Sequence, residues 1–214
     1  MKALLDDIRR PEKVPMAKGM FMSALLFATG VILGIVSKVL DSIPSNQLPY
    51  LLEVLDLRNF FSRLGIWLFF GVLISVYSKS PFRSAVNVFV FFAGMVGSYY
   101  LYTIEVLGFF PRSYMMFWVT MTLISPLPAF ICWYAKGKGA VSLLISSSIV
   151  MVLARQAFSF GWWYFDIRYV LEFIIWLAVI VVLYRSPMQT LGMIVIGIIL
   201  FMLTAHVYIP WEIA

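Results

Sequence analysis

Residues 19–40 read GMFMSALLFATGVILGIVSKVL, with Lys38 as the one ionisable side chain. A helix needs about 20 predominantly apolar residues to cross the hydrocarbon core of a bilayer, so this stretch predicts a membrane span. Six further apolar stretches follow. The seven predicted spans lie near 19–40, 59–78, 84–108, 113–134, 140–159, 168–184 and 188–208. We therefore predict an all-α polytopic membrane protein that consists of a single transmembrane domain, residues 1–214.

The overall composition supports this class. Hydrophobic residues make up 63% of the chain and charged residues 12%, and the mean hydropathy is +0.96. Soluble domains carry about 25% charged residues. A chain of this length has no means of shielding so much apolar surface from water. The composition thus excludes a soluble globular protein and makes the lipid bilayer the first expected partner.

The distribution of charge predicts the orientation. Lys and Arg are enriched in the cytoplasmic loops of membrane proteins. With the N-terminus inside, most of the 16 Lys and Arg residues lie on the cytoplasmic side and most of the 10 Asp and Glu residues outside. We predict an N-inside, C-outside protein whose residues 1–18 form a cytoplasmic amphipathic segment. Topology also explains the net charge of +6, so no nucleic-acid partner is expected.

Prolines mark the turns and one interruption. Ser80-Pro81 and Ser186-Pro187 separate predicted spans, as expected for proline at the first helical position. Pro126 and Pro128 lie inside the fourth span. Proline removes a backbone donor and bends a helix, so these two residues predict a kink or a break.

Two blocks of the sequence resemble each other. An Asp-x-Arg element, an Ile-Trp-Leu element and a Ser-Pro turn occur in this order over residues 56–81 and again over 166–187. The similarity relates a first three-helix unit, 19–108, to a second, 140–208, with 113–134 as a linker helix. This predicts a parallel 3+1+3 repeat, an arrangement that transporters build around a central site. Because the spacing of the two copies is uneven, chance similarity among apolar helices is the alternative.

Small residues at helical spacing predict close helix contacts. Small side chains three or four residues apart let two helix backbones approach in a membrane. The predicted packing or partner positions are Ala24, Ala28, Gly30, Gly34, Gly94 and Gly97. They serve either contacts within the bundle or contacts with a membrane-protein partner or a second copy of the chain.

Several ionisable residues lie at the predicted outer ends of the spans. They are Glu172, Arg155, Arg168, Glu105 and Arg63. Ionisable side chains within a membrane are costly and mark functional sites by default. We predict that the first four line an outward-facing pocket for a small solute, with Arg168 and Glu172 spaced to pair along one helix. The alternative is that the charges lie in the interface and pair for structural reasons.

Aromatic residues gather at the same level. Tyr99 and Tyr102 lie in the third span and Trp163 precedes the sixth. Next to Arg and Glu side chains, such rings are able to stack on a cationic or ring-bearing solute. An interfacial aromatic belt is the alternative explanation.

No enzyme signature is present in the sequence. Cys132 and His206 are the only cysteine and histidine, so a metal site of the usual composition is not expected. No motif of a serine hydrolase, a zinc protease or a nucleotide-binding loop occurs. We expect no cofactor, no metal and no catalytic residues.

Part of the chain resembles a known group of proteins. Residues 77–103 contain YSKSPFRSA, NVFVFFAGM and SYYLYT, and residues 133–139 read WYAKGKG. These stretches are similar to uncharacterised multi-pass inner-membrane proteins of bacteria. The resemblance implies a bacterial plasma-membrane location and no particular activity.

Two functions follow as expectations. The first is a small-solute transporter, or the membrane-embedded substrate-binding subunit of one, with a polar and aromatic pocket open to the outer face. The alternative is a non-catalytic subunit that assembles with or stabilises another membrane complex through its small-residue surfaces.

Overall fold

The computed structural model describes residues 2–44, 49–109, 111–161, 163–205 and 207. The helices in chain order are α1 (Lys2–Ile8), α2 (Met16–Ser42), α3 (Tyr50–Val54), α4 (Leu57–Ser62), α5 (Leu64–Tyr77), α6 (Pro81–Glu105), α7 (Arg112–Ile124), α8 (Pro126–Cys132), α9 (Gly139–Ala157), α10 (Val170–Leu183) and α11 (Pro187–Thr204). A 3₁₀ turn, Trp133–Lys136, follows α8, and the strands β1 (Phe158–Gly161) and β2 (Tyr164–Ile167) lie between α9 and α10. The predicted all-α class is confirmed apart from this short hairpin.

Several helices are long and apolar enough to cross a membrane. In the described part of the chain these are α2, α6, α9 and α11, and the bent pair α7–α8 is a fifth if it counts as one span. The apolar helices α5 and α10 have 14 residues each, or about 21 Å at 1.5 Å per residue. They are shorter than the ~30 Å hydrocarbon core. The fold is consistent with a helical membrane protein, whereas seven crossings stay a prediction.

The second predicted span is interrupted. Arg63 has an extended backbone, with ψ 154°, and separates α4 from α5. A third short helix, α3, precedes them in the connection that follows α2. The predicted span 59–78 is therefore a short helix with a separate turn at its start.

The predicted kink is present between α7 and α8, whose axes differ by 44°. Pro126 has no N–H to donate to the carbonyl of Thr122 four residues earlier. The Ser125 hydroxyl donates to that carbonyl instead, at 2.8 Å. From the neighbouring helix α6, the Ser84 hydroxyl donates to the Ala129 carbonyl at 2.7 Å. The break is stabilised because nearby hydroxyl groups satisfy backbone carbonyls.

Both Ser-Pro turns begin a helix. The Ser80 hydroxyl accepts a hydrogen bond from the Arg83 amide at 3.2 Å at the start of α6. The Ser186 hydroxyl accepts one from the Gln189 amide at 3.4 Å at the start of α11. Each serine is an N-cap, and the proline after it occupies the first helical position, as predicted from the sequence.

Helices α2 and α6 run parallel in close contact. A Cβ added at Gly30 would lie 2.2 Å from the Phe91 carbonyl oxygen, and one at Gly34 would lie 2.2 Å from that of Met95. From the other side, a Cβ at Gly94 would lie 2.6 Å from the carbonyl oxygen of Phe27. Three of the predicted small residues thus serve a contact within the bundle.

The other predicted packing residues do not take part in this contact. A Cβ added at Gly97 would meet nothing within 4 Å. Ala24 and Ala28 are exposed. A packing glycine that the sequence analysis did not select lies instead on α11, where a Cβ added at Gly197 would lie 2.8 Å from Val150 of α9.

The hairpin β1–β2 was not predicted. Its strands pair antiparallel, with Phe158 opposite Ile167 and Gly161 opposite Tyr164. The Phe158 ring contacts the rings of Phe165 and Trp176 at 5.1 and 5.2 Å between centroids. Aromatic residues favour strands and pack well in pairs across them. The aromatic stretch that follows α9 therefore folds back on the bundle instead of extending the fifth predicted span to residue 159.

Candidate functional site

Charged side chains form contacts at both ends of the helix bundle. At one end, which we call the α1 end, Arg9 donates to the Trp133 carbonyl after α8, and Lys79 pairs with the Glu12 carboxylate between α1 and α2. At the other end, the hairpin end, lie Lys38, Arg63 and Glu172. The charged residues that the sequence analysis selected for the solute pocket all lie at the hairpin end. The structure places Glu172 in one cluster and Arg155 with Arg168 in another, and Glu105 lies outside both.

Glu172 belongs to the first cluster and pairs with Arg63, not with Arg168. The Arg63 Nε donates to Glu172 Oε1, and its Nη1 donates to Asp56 Oδ2 at 2.8 Å. The Arg63 guanidinium lies 3.9 Å from the centroid of the Tyr169 ring. Glu172 is only 1% exposed, so the pair joins the start of α5 to the first turn of α10. A charge this deeply buried requires such a partner.

Arg155 and Arg168 belong to the second cluster. The buried Arg155 donates to the carbonyl of Thr204 and, at 2.8 Å, to that of Val207. It thus satisfies carbonyls at the C-terminal end of α11, where a cation also interacts favourably with the helix dipole. Arg168 is exposed. Both line a cavity of about 160 Å³ under the hairpin, together with Ser159.

Tyr99 belongs to the third cluster. Its hydroxyl donates to Asp41 Oδ2 at 3.0 Å, and Lys38 Nζ forms an ion pair with the same carboxylate oxygen at 2.8 Å. These contacts join the end of α2 to α6. Polar groups at the hairpin end therefore connect helices in pairs, which agrees with the structural alternative for the predicted charges.

The remaining predicted site residues lie outside these clusters. Glu105 is the last residue of α6 and is exposed. Tyr102 is partly buried on the same helix. Trp163, at the tip of the hairpin, is 97% exposed. His206, which the sequence analysis named as the one histidine, lies outside the described residues.

A larger cavity lies deeper in the bundle, in a region that the sequence analysis did not select. This apolar groove has a volume of about 300 Å³ and runs between α5, α6, α7, α8 and α9. Its lining includes Trp67, Gly71, Phe92, Trp118, Thr122 and Cys132. Ile124 and Pro128 at the bend between α7 and α8 also line it and are exposed. The groove therefore opens sideways at the broken helix.

Hydroxyl groups along the apolar groove bond to their own helices. Ser75 donates to the Gly71 carbonyl at 2.6 Å and Thr122 to the Trp118 carbonyl at 2.9 Å. Ser125 is engaged with Thr122. Because these hydroxyls are satisfied locally, the groove offers its occupant a predominantly apolar surface.

A small pocket adjoins the apolar groove toward the hairpin end. This tyrosine pocket has a volume of about 20 Å³ and is lined by Ser37, Ser62, Tyr99, Tyr100 and Tyr114, among others. Three residues line both cavities, namely Trp67, Met95 and Trp118. The Tyr100 hydroxyl is buried and has no hydrogen-bond partner among the described residues. A buried hydroxyl of this kind is rare in native structures.

A signal for this region exists in the sequence, but it is weak. Gly71 and Ser75 are small residues four apart on α5, and they leave room beside the break at Pro126.

Among the described residues, no three His, Cys, Asp or Glu side chains lie close enough to hold a metal ion.

Comparisons with family models, with curated proteins and with solved structures found no match for this chain. A functional proposal therefore rests on the geometry of the cavities and on the placement of charge.

Proposed function

We propose that this protein is a membrane-embedded binding protein or transporter for a small molecule that occupies the apolar groove. The observation that carries the proposal is a cavity of about 300 Å³ at a broken helix. Ligand pockets have volumes of about 300–1,000 Å³ and are lined mainly by apolar and aromatic side chains. Transporters commonly place their sites where helices are discontinuous. The occupant lies in the groove, and the charged clusters hold the helices around it.

The proposed site does not include the charged residues that were predicted from the sequence. Glu172 is engaged by Arg63, and Arg155 donates to the carbonyls at the end of α11. Binding a solute through Glu172 Oε1 or through the Arg155 guanidinium would have to break these contacts, whereas Glu172 Oε2 is buried without a hydrogen-bond partner among the described residues. Of the three aromatic residues predicted for the pocket, Tyr99 lines the tyrosine pocket, whereas Tyr102 and Trp163 belong to the lining of neither cavity.

We propose seven crossings with the α1 end in the cytoplasm of a bacterium and the hairpin end outside its plasma membrane. Helix directions support the alternation. Gly30 approaches Phe91 and Gly34 approaches Met95, so α2 and α6 run parallel. The Arg168 amide donates to the Ala157 carbonyl and the Trp176 indole to the Val150 carbonyl, so α10 runs antiparallel to α9. Under this topology α5 and α10 are short crossings, extended at the hairpin end by α4 and by the hairpin.

A parallel repeat is part of the proposal. The helices α2, α5 and α6 correspond in order to α9, α10 and α11, and the second helix of each unit has 14 residues. The first and third helices of each unit are in glycine contact, at Gly30 and at Gly197. The Ile-Trp-Leu elements are not in register, because Trp67 is the fourth residue of α5 and Trp176 the seventh of α10.

Photolabelling tests the proposed groove. The protein in lipid nanodiscs is exposed to a small aryl diazirine, and the adducts are mapped by mass spectrometry. We expect saturable labelling at Met121 and Cys132. Gly71→Leu should abolish it, since a Cβ at Gly71 meets only the Phe92 ring, at 3.6 Å, and a longer side chain would fill the groove. Gly97→Leu is the matched control on an exposed position. Labelling that does not saturate, or that survives Gly71→Leu, would contradict the proposal.

The second candidate is a non-catalytic subunit. Ala24, Ala28 and several large apolar side chains leave α2 with an exposed apolar face. This face fits another membrane protein or a second copy of the chain. Cross-linking from Ala28→Cys in a Cys132→Ser background distinguishes the candidates: a specific adduct with another chain supports the subunit function, and its absence favours the monomeric binding protein.

A further inference from the structure

We infer that the occupant of the apolar groove is an amphiphile whose small, uncharged polar end is bound by the Tyr100 hydroxyl. This inference rests on the proposed binding function and names the class of its ligand. The first observation is Tyr100 itself. Its side chain is 6% exposed, and its hydroxyl has no hydrogen-bond partner among the described residues. Leaving a buried hydroxyl unsatisfied costs free energy, and a ligand oxygen in the tyrosine pocket would supply the missing bond.

The second observation is the continuity of the two cavities. Trp67, Met95 and Trp118 line both the tyrosine pocket and the apolar groove. A single molecule is therefore able to place a polar atom next to Tyr100 and its apolar body in the groove. The polar end then points toward the hairpin end, and the body extends toward the bend between α7 and α8.

The size of the tyrosine pocket limits the polar end. Its volume is about 20 Å³. A cavity needs roughly 10–15 Å³ to hold one water molecule, so the pocket is close to that minimum. A hydroxyl or a carbonyl oxygen fits this space. A phosphate or a sugar does not.

The lining also indicates that the polar end is uncharged. The described residues that line the tyrosine pocket include hydroxyl groups and apolar side chains but no Asp, Glu, Lys or Arg. The nearby Lys38 forms an ion pair with Asp41. Burying a charge without a counter-charge is far more costly than burying a hydroxyl that is hydrogen-bonded. We therefore assign the ligand to long-chain or ring-bearing alcohols and ketones, and not to fatty acids or cationic amphiphiles.

Three matched photoprobes test the assignment. Each is a twelve-carbon chain with a diazirine at mid-chain, and the chain ends in CH₂OH, in CH₃ or in a carboxylate. Wild-type protein in nanodiscs is titrated with each probe, and adducts on groove residues are quantified. We expect half-saturation by the alcohol at a concentration about fivefold lower than by the alkane, the effect of one net hydrogen bond. The carboxylate should bind more weakly than the alcohol.

Two variants test whether the difference between the alcohol and the alkane depends on the Tyr100 hydroxyl. In Tyr100→Phe the alcohol and the alkane should half-saturate at the same concentration. The variant is expected to fold, because the hydroxyl that it removes has no hydrogen-bond partner to lose in the described part of the chain. Tyr102→Phe, two residues away and outside both linings, is the control and should keep the fivefold difference.

Different results would contradict the proposed ligand class and the proposed binding function. If the alcohol and the alkane saturate equally in wild-type protein, or if Tyr100→Phe keeps their difference, the inference is overturned while the apolar binding site stands. Tighter binding of the carboxylate would also overturn it. If no probe saturates, the groove holds only bulk lipid, and the proposed function fails together with the inference.

Discussion

Arg63 and Glu172, 109 residues apart in the chain, form an ion pair that joins the start of α5 to the first turn of α10. Glu172 is almost fully buried, and Arg63 also holds Asp56 at 2.8 Å. Because α5 lies in the first half of the chain and α10 in the second, the pair is a direct polar connection between the two halves of the chain.

Removing one partner of this pair should be costly. Arg63→Ala leaves the Glu172 carboxylate buried without a counter-charge, and we expect the free energy of unfolding to fall by about 3–5 kcal/mol. A double replacement, Arg63→Met with Glu172→Leu, should recover most of the loss, because both charges are then removed and apolar volume replaces them. Reversible unfolding in mixed micelles measures all three proteins. Lys79→Ala, which removes an exposed partner of Glu12, is the control.

The same experiment distinguishes the two interpretations of the outer charges. If Arg63→Ala and Glu172→Gln leave stability as high as Lys79→Ala does, the pair does not hold the helices together. A role of Glu172 in binding a solute would then regain support.

The contact between α2 and α6 gives a second prediction. A Cβ at Gly34 would lie 2.2 Å from the Met95 carbonyl oxygen and 2.3 Å from the Ser98 hydroxyl, whereas at Gly97 it would meet nothing within 4 Å. Gly34→Ala should therefore force the two helices apart, at a cost of about 1–3 kcal/mol. Gly97→Ala should be neutral or slightly stabilising, since Ala is the better helix former. Equal effects of the two substitutions in the unfolding assay would contradict the close contact.

Local features of the fold were predictable from the sequence, and contacts between distant residues were not. The Ser80-Pro81 turn and the bend at Pro126 depend on backbone chemistry within four residues, and both were predicted. The partner of Glu172 was not, because the spacing along one helix favours Arg168, whereas the tertiary fold brings Arg63 closer. The hairpin was missed since its aromatic residues also fit the end of a span.

The groove was missed for a different reason. A cavity results from missing volume, and Gly71 leaves that volume only because α7 bends next to it. Small residues in the sequence are equally consistent with close helix contacts, as Gly30 and Gly34 are. Gly97 satisfies the same spacing rule and yet faces open space, which shows that spacing alone does not identify the buried side of a helix.

Arg155 provides a third prediction. It donates to the carbonyls of Thr204 and Val207 at the end of α11, so Arg155→Ala should leave these carbonyls without a partner from α9. We expect faster amide hydrogen exchange over the last turn of α11 and a loss of about 2 kcal/mol in stability, typical of a charged hydrogen bond. Arg168→Ala removes an exposed guanidinium from the same cavity and should change neither quantity.

Should Arg168→Ala and Arg155→Ala accelerate exchange equally, the effect would come from the charge of the cavity and not from the bonds to α11. Arg155→Lys gives a further comparison. It keeps the charge but offers a single nitrogen, so exchange rates should lie between those of wild-type protein and Arg155→Ala.

Arg9 provides the last prediction, at the α1 end. It donates to the carbonyls of Trp133 at 2.6 Å and Val76 at 2.9 Å, and its guanidinium lies 4.3 Å from the Trp133 ring centroid. Burial lowers the pKa of Arg9, and the charge of Glu12 offsets this only in part, but arginine stays protonated throughout the accessible pH range. Arg9→Ala should therefore release α1 at any pH, seen as rapid proteolysis before residue 16 and a stability loss of about 2–4 kcal/mol. The neighbouring Arg10→Ala, at an exposed position, should resist the protease as wild-type protein does. If Arg9→Ala resisted the protease as well as Arg10→Ala does, the Arg9 side chain would not be needed to hold α1. Backbone contacts, such as the bond from the Lys138 amide to the carbonyl of Ile8, would then suffice.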